Sequence, residues 1–160
     1  MTALALTHYN EFKFVHVLAA VVWVGGAATV QVYALLAVST NDPAKVAAFV
    51  ADTEFVGTRI FLPAALILLV SGLLTVHESS GAWGYGQGWL RFGLVVIALS
   101  IVTGAGFLGP ESGRIARATR AGGVESPEVQ ARIRRIFLVS RVELVLLMAV
   151  VFDMVVKPGM

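Results

Sequence analysis

Apolar residues along this chain come in long blocks and do not alternate. From Phe14 to Val38 only Thr29 and Gln31, beside His16, interrupt 25 apolar or small residues. Further blocks cover Ile60–His77, Leu90–Gly109 and Ile136–Val156. A helix needs about 20 mostly apolar residues, rising about 1.5 Å each, to cross a hydrocarbon layer about 30 Å thick. The pattern therefore predicts an all-α, membrane-embedded four-helix bundle. Its spans are about 11–38, 60–77, 90–109 and 136–156, in a single domain covering 1–160. The first block is longer than the apolar core of about 7–15 residues in a cleavable signal, and no basic segment precedes it, so it reads as a retained helix.

The connections carry their own signals. Asp42-Pro43 offers an N-cap followed by proline at the first helical position, which suits a short interfacial helix over 44–55. Pro63 falls in the first turn of the second span, where a missing N–H costs little, and Gly109-Pro110 reads as the stop of the third. Residues 78–88 form a glycine-rich loop in which Trp83 and Tyr85, with Trp89 just beyond, are expected at the membrane interface. The polar stretch 111–135 should be helical, broken at Gly122-Gly123 and restarted by Ser126-Pro127-Glu128.

Composition strengthens the membrane reading. Apolar residues make up 58% and charged residues 14%, against about 25% charged in ordinary soluble domains. A net charge of +2 gives no reason to expect nucleic acid, and with no cysteine there can be no disulfide or thiolate chemistry. Lysine and arginine are distributed unevenly. Nine (Lys45, Arg59, Arg114, Arg117, Arg120, Arg132, Arg134, Arg135, Arg141) belong to one side of a four-span protein, and three (Lys13, Arg91, Lys157) to the other. The positive-inside rule then puts the arginine-rich loops in the cytoplasm and both termini outside, with some attraction of the basic loop for anionic headgroups.

This topology sorts the polar residues into two layers. His16, His77, Arg91 and Asp153 fall near the outer face, with Trp23 on the same helical face as His16. A buried Asp153 needs a partner. His16 is the natural one, since a carboxylate on one ring nitrogen would leave the other free as a ligand. The alternatives are structural: His16 as an interhelical hydrogen-bonding residue, His77 as an interfacial residue, and Asp153 with Lys157 as an i, i+4 ion pair. The inner layer holds Gln31, Glu54, Arg59, Arg141 and Glu143, where Arg59–Glu143 or Glu54–Arg141 pairing would tie the second and fourth spans together. The helix centres at 66–70, 95–99 and 146–150 are apolar, which opposes an open aqueous path.

Several segments are familiar in combination: the run from Phe12 through His16 and Trp23 to Gly26, Pro63 to Ser71-Gly72, Gly106 to Pro110, Ser126-Pro127-Glu128 with Arg132, Arg141-Val142-Glu143, and Met154 to Pro158. In this order they resemble a bacterial family of predicted integral membrane proteins of unknown function. That family is distantly similar to the membrane domain of copper-resistance D proteins and to HemJ-type protoporphyrinogen oxidases. The second likeness implies a haem b role for His16, whereas the oxidase's further polar residues have no clear matches here. Copper has little to bind, because Met148, Met154 and Met160 form no evident pair with His16.

The expected function is accordingly a haem-b-binding or redox-linked protein of the bacterial inner membrane, with His16 and His77 as candidate ligands and no catalytic residue assigned. An accessory subunit of a larger membrane complex or a homo-oligomer is the alternative, and transport of a small solute, metal or proton is the third.

Overall fold

The computed structural model describes residues 3–121 and 125–159, with side chains from His8 onward; the expected break at Gly122-Gly123 lies outside the described residues. The regular elements of the described chain are all helical: α1 (Ala3–Ser39), α2 (Pro43–Val56), α3 (Leu62–His77), α4 (Gly88–Thr103), α5 (Gly109–Arg120) and α6 (Pro127–Val156). Three helical stretches are long and apolar enough to cross a membrane: His8–Ser39, Pro43–His77 and Gly88–Arg120. Helix α6 carries Arg141, Glu143 and Asp153 within its apolar half and falls outside that set.

Two proline expectations are corrected. Pro63 does not open a new helix, and Gly109-Pro110 does not end one. Each lies within a continuous helix, Pro43–His77 and Gly88–Arg120, of 35 and 33 residues. A π-helical turn makes this possible, Gly57–Phe61 before Pro63 and Gly104–Leu108 before Pro110. A proline ring clashes with the carbonyl four residues earlier, here that of Arg59 or Gly106, and each lies inside the π turn. Widening the turn shifts the bonding to i→i+5, with the Leu62 N–H donating to the Gly57 carbonyl and that of Gly109 to Gly104. The interfacial helix predicted over 44–55 exists as α2 but runs straight on into α3.

The cap signals read from sequence are present. The Asp42 carboxylate accepts from the N–H groups of Ala44 at 3.0 Å and Lys45 at 3.3 Å. The Ser126 hydroxyl accepts from the Val129 N–H at 3.3 Å, and α6 begins at Pro127.

Helices α1, α3, α4 and α6 pack side by side in a ring, α1 between α3 and α6, and α4 opposite between the same two. Their outward surface is apolar, including Leu138, Val145, Phe152 and Val155 on α6. Trp23, Ala64, Ala65, Ile97 and Leu147 form the core at mid-height. At the arginine-rich end α2, α5 and the first turns of α6 build a second core around Val50 and Ile115, together with Val46, Ile133 and Phe137. Glu111 is buried in this lobe and holds it closed. It accepts from Arg132 Nη1 at 2.6 Å and Arg114 Nη1 at 2.8 Å, while Arg132 also bonds Glu128 at 2.9 Å. Burial alone would push the Glu111 carboxyl up, but the two guanidinium groups outweigh it and hold the carboxyl below its ordinary value.

Candidate functional site

Two cavities lie inside the ring, one above and one below the mid-height core; Trp23 and Leu147 line both. The larger, about 700 Å³, lies at the end that carries Lys157. His16 reaches it from α1, half-buried, with its ring against the backbone of α3. Only a glycine leaves room for this contact, since a Cβ on Gly72 would stand 2.8 Å from Cε1 and 2.9 Å from Nδ1 of His16. The Leu68 carbonyl lies 2.8 Å from Nδ1. A carbonyl only accepts, so Nδ1 carries the proton and the neutral ring keeps its lone pair on Nε2. A second partner that fixes the tautomer and ring plane is the usual arrangement behind a ligating histidine. Here a backbone carbonyl fills the role expected of Asp153.

The His16–Asp153 pair is therefore corrected. Asp153 is buried on α6, its Oδ2 has no hydrogen-bond partner, and it does not line the cavity. The Asp153–Lys157 ion pair is also absent. Lys157 caps α6 in a left-handed conformation with φ 48°. Its ammonium lies over the Trp83 ring, 4.0 Å from the centroid, and 5.7 Å from that of Trp89. His77 is exposed at the end of α3 and is not part of the cavity wall, so the structure does not bring it to His16. Arg91 is exposed too and donates through Nε to the Tyr85 carbonyl at 3.0 Å. Trp23 sits at the cavity floor, 5% exposed, separating the two chambers.

Sequence reasoning missed the mouth of this cavity and Met154, which supplies the one thioether on its wall among the described residues. Trp83 and Trp89 meet edge to face at 5.5 Å, and the Trp83 indole N–H donates to the Tyr9 hydroxyl at 3.2 Å. Aromatic residues near both Lys13 and Lys157 were the available signal; which of them meet depends on how α1, α4 and α6 pack.

The second cavity, about 480 Å³, lies toward the arginine-rich end. Both π turns border it through Gly57, Phe61, Gly104 and Leu108, as do Gln31, Glu54 and Glu143. Gln31 donates from Nε2 to the Ser140 hydroxyl at 2.8 Å, and Glu143 is hydrogen-bonded to Ser100. The ion pairs expected here do not form. Among the described residues, neither Arg59 nor Arg141 pairs with Glu54 or Glu143; both guanidinium side chains are exposed. The carboxylates turn toward the cavity, whereas the long arginine side chains find water or headgroups at lower cost than they would inside the bundle.

No group of three or more histidine, aspartate or glutamate side chains able to hold a metal occurs among the described residues. No curated protein and no solved structure matches the chain. A family described as predicted integral membrane protein, DUF2269, matches residues 11–158. With three stretches able to cross a membrane and nearly the whole chain matched, the protein belongs to the DUF2269 family of predicted integral membrane proteins.

Proposed function

We propose that this protein binds haem b in the larger cavity through Nε2 of His16 and serves as a redox-linked component of the bacterial inner membrane. The observation that carries the reading is the His16 ring, held against Gly72 with Nδ1–H on the Leu68 carbonyl and its second nitrogen left as a ligand. The space is of the right order, since small-molecule sites span about 300–1,000 Å³ and are mainly apolar. Met154, on the neighbouring helix α6, would be a second residue to hold the haem, and histidine with methionine is a known ligand pair for it. Bound haem would supply one-electron chemistry; the protein residues would position it, exclude water and tune its potential.

In the accompanying topology α6 is a fourth span. Beyond the exposed Arg141 its outward face is apolar from Val142 to Val156, while Glu143 and Asp153 turn inward. The nine-to-three division of basic residues supports cytoplasmic arginine-rich segments and external termini.

The test is an optical spectrum of protein purified after haem-replete expression. A Soret band that His16→Ala abolishes, while the variant still folds, is the expected result. A colourless protein that gains no Soret band on haem addition overturns the reading.

A further inference from the structure

The mouth of the His16 cavity has a chemistry of its own. Lys13 from α1 and Lys157 from the end of α6 both line it. Neither is ion-paired with a carboxylate among the described residues. Among the described residues no aspartate or glutamate lines the cavity. The acids on adjoining elements stay off the wall: Glu11 faces His8, Glu78 lies at the end of α3 outside the cavity lining, and Asp153 is buried away from it.

The placement of Lys157 makes this more than a pair of surface lysines. Trp89 is 6% exposed and lines the cavity, but its indole nitrogen is sealed within the packing and does not face the space. Lys157 adopts the left-handed backbone region that side-chain-bearing residues seldom occupy. In that conformation its ammonium lies over Trp83 and Trp89. The Tyr9–Trp83 hydrogen bond continues this belt toward Lys13, whose ammonium is 5.8 Å from the Tyr9 ring centroid.

We infer that Lys13 and Lys157 form a carboxylate-recognition site at the cavity mouth, so that the cavity selects amphiphiles with an apolar body and an anionic carboxylate end. Both ammonium groups are donors without a carboxylate partner among the described residues, and a ligand carboxylate supplies one. Haem b, a flat apolar macrocycle with two carboxylates, is one such amphiphile, and a long-chain fatty acid is another. The inference rests on this cavity being a ligand site, not on the ligand being haem.

The experiment uses full-length protein in zwitterionic nanodiscs. Its three tryptophans all line the cavity and act as energy-transfer donors to a conjugated tetraene fatty acid or to its methyl ester. The acid should bind about tenfold more tightly than the ester, the worth of a charge-assisted hydrogen bond. Lys13→Gln/Lys157→Gln should remove this preference, and Lys13→Arg/Lys157→Arg, which keeps the charges, should retain it. Equal binding of acid and ester, binding of neither, or a preference that survives the glutamine pair overturns the inference. So does its loss in the arginine pair. Haem b and its dimethyl ester are titrated in parallel. Acid selectivity without a Soret band refutes the haem reading and leaves the carboxylate site standing. A Soret band of equal affinity for haem and its ester, without acid selectivity, does the reverse.

Discussion

Adding a single methyl group at Gly72 tests the geometry of His16 directly. The new Cβ would lie 2.8 Å from Cε1 and 2.9 Å from Nδ1 of His16. The ring can retreat only by giving up its 2.8 Å bond to the Leu68 carbonyl. Overpacking costs about 1–3 kcal/mol, and a lost hydrogen bond about 0.5–1.5 kcal/mol. Alanine is a better helix former than glycine by about 1 kcal/mol. Gly72→Ala should therefore destabilise by about 2 kcal/mol in net terms. In a His16→Ala background the ring is gone and the sign should reverse, leaving Gly72→Ala neutral or stabilising by up to about 1 kcal/mol. The double-mutant cycle, measured by reversible unfolding in mixed detergent micelles, should give a coupling of about 2–3 kcal/mol. A coupling below about 0.5 kcal/mol, the additivity limit for independent sites, would refute the packing of His16 on Gly72 and the tautomer argument built on it.

Other outcomes follow from particular contacts. Gly93→Ala introduces a Cβ that overlaps Met154 Cε, but a methionine terminus swings aside easily, so the expected loss is below about 1 kcal/mol by thermal unfolding, in contrast to Gly72. Gln31→Leu removes the 2.8 Å bond to Ser140 that links α1 to α6, and should cost about 0.6 kcal/mol in the same unfolding assay while leaving any Soret band unchanged. The Glu111 carboxyl titrates lower folded than unfolded, so the unfolded chain takes up the proton first as pH falls. Its contribution to stability is complete above the ordinary value of 4.5 and is lost as pH drops through the lower folded value. Denaturant titrations across that acid range should show a slope that Glu111→Gln flattens.

The two chambers give the protein a polarity that its apolar composition hides. Toward Lys157 the wall presents lysines, indoles and an imidazole; toward the arginine-rich end it presents Glu54, Glu143, Gln31 and serine hydroxyls. Between them the Trp23–Leu147 layer closes the bundle with apolar side chains. A continuous water path would have to break that layer, so the geometry favours two separate sites over a channel.

Local sequence was enough to reveal the apolar blocks, the Asp42 and Ser126 caps and the unequal division of basic residues, because each depends on composition or on neighbours within one turn. It also singled out His16, as a polar group in an apolar block. It misjudged both prolines. Whether a proline ends a helix depends on whether the backbone can widen one turn earlier, and the packing around the second cavity holds the π turns that allow it. Partners were the other failure. Asp153 and Lys157 stand four residues apart, yet a left-handed cap and two indoles from another part of the chain draw the ammonium away. His16 was assigned a carboxylate and found the Leu68 carbonyl, brought within reach because Gly72 lets α1 and α3 approach. Burial makes a polar side chain require a partner, and sequence shows that requirement. Which partner meets it is decided by the distance between helices, set by packing among residues far apart in the chain.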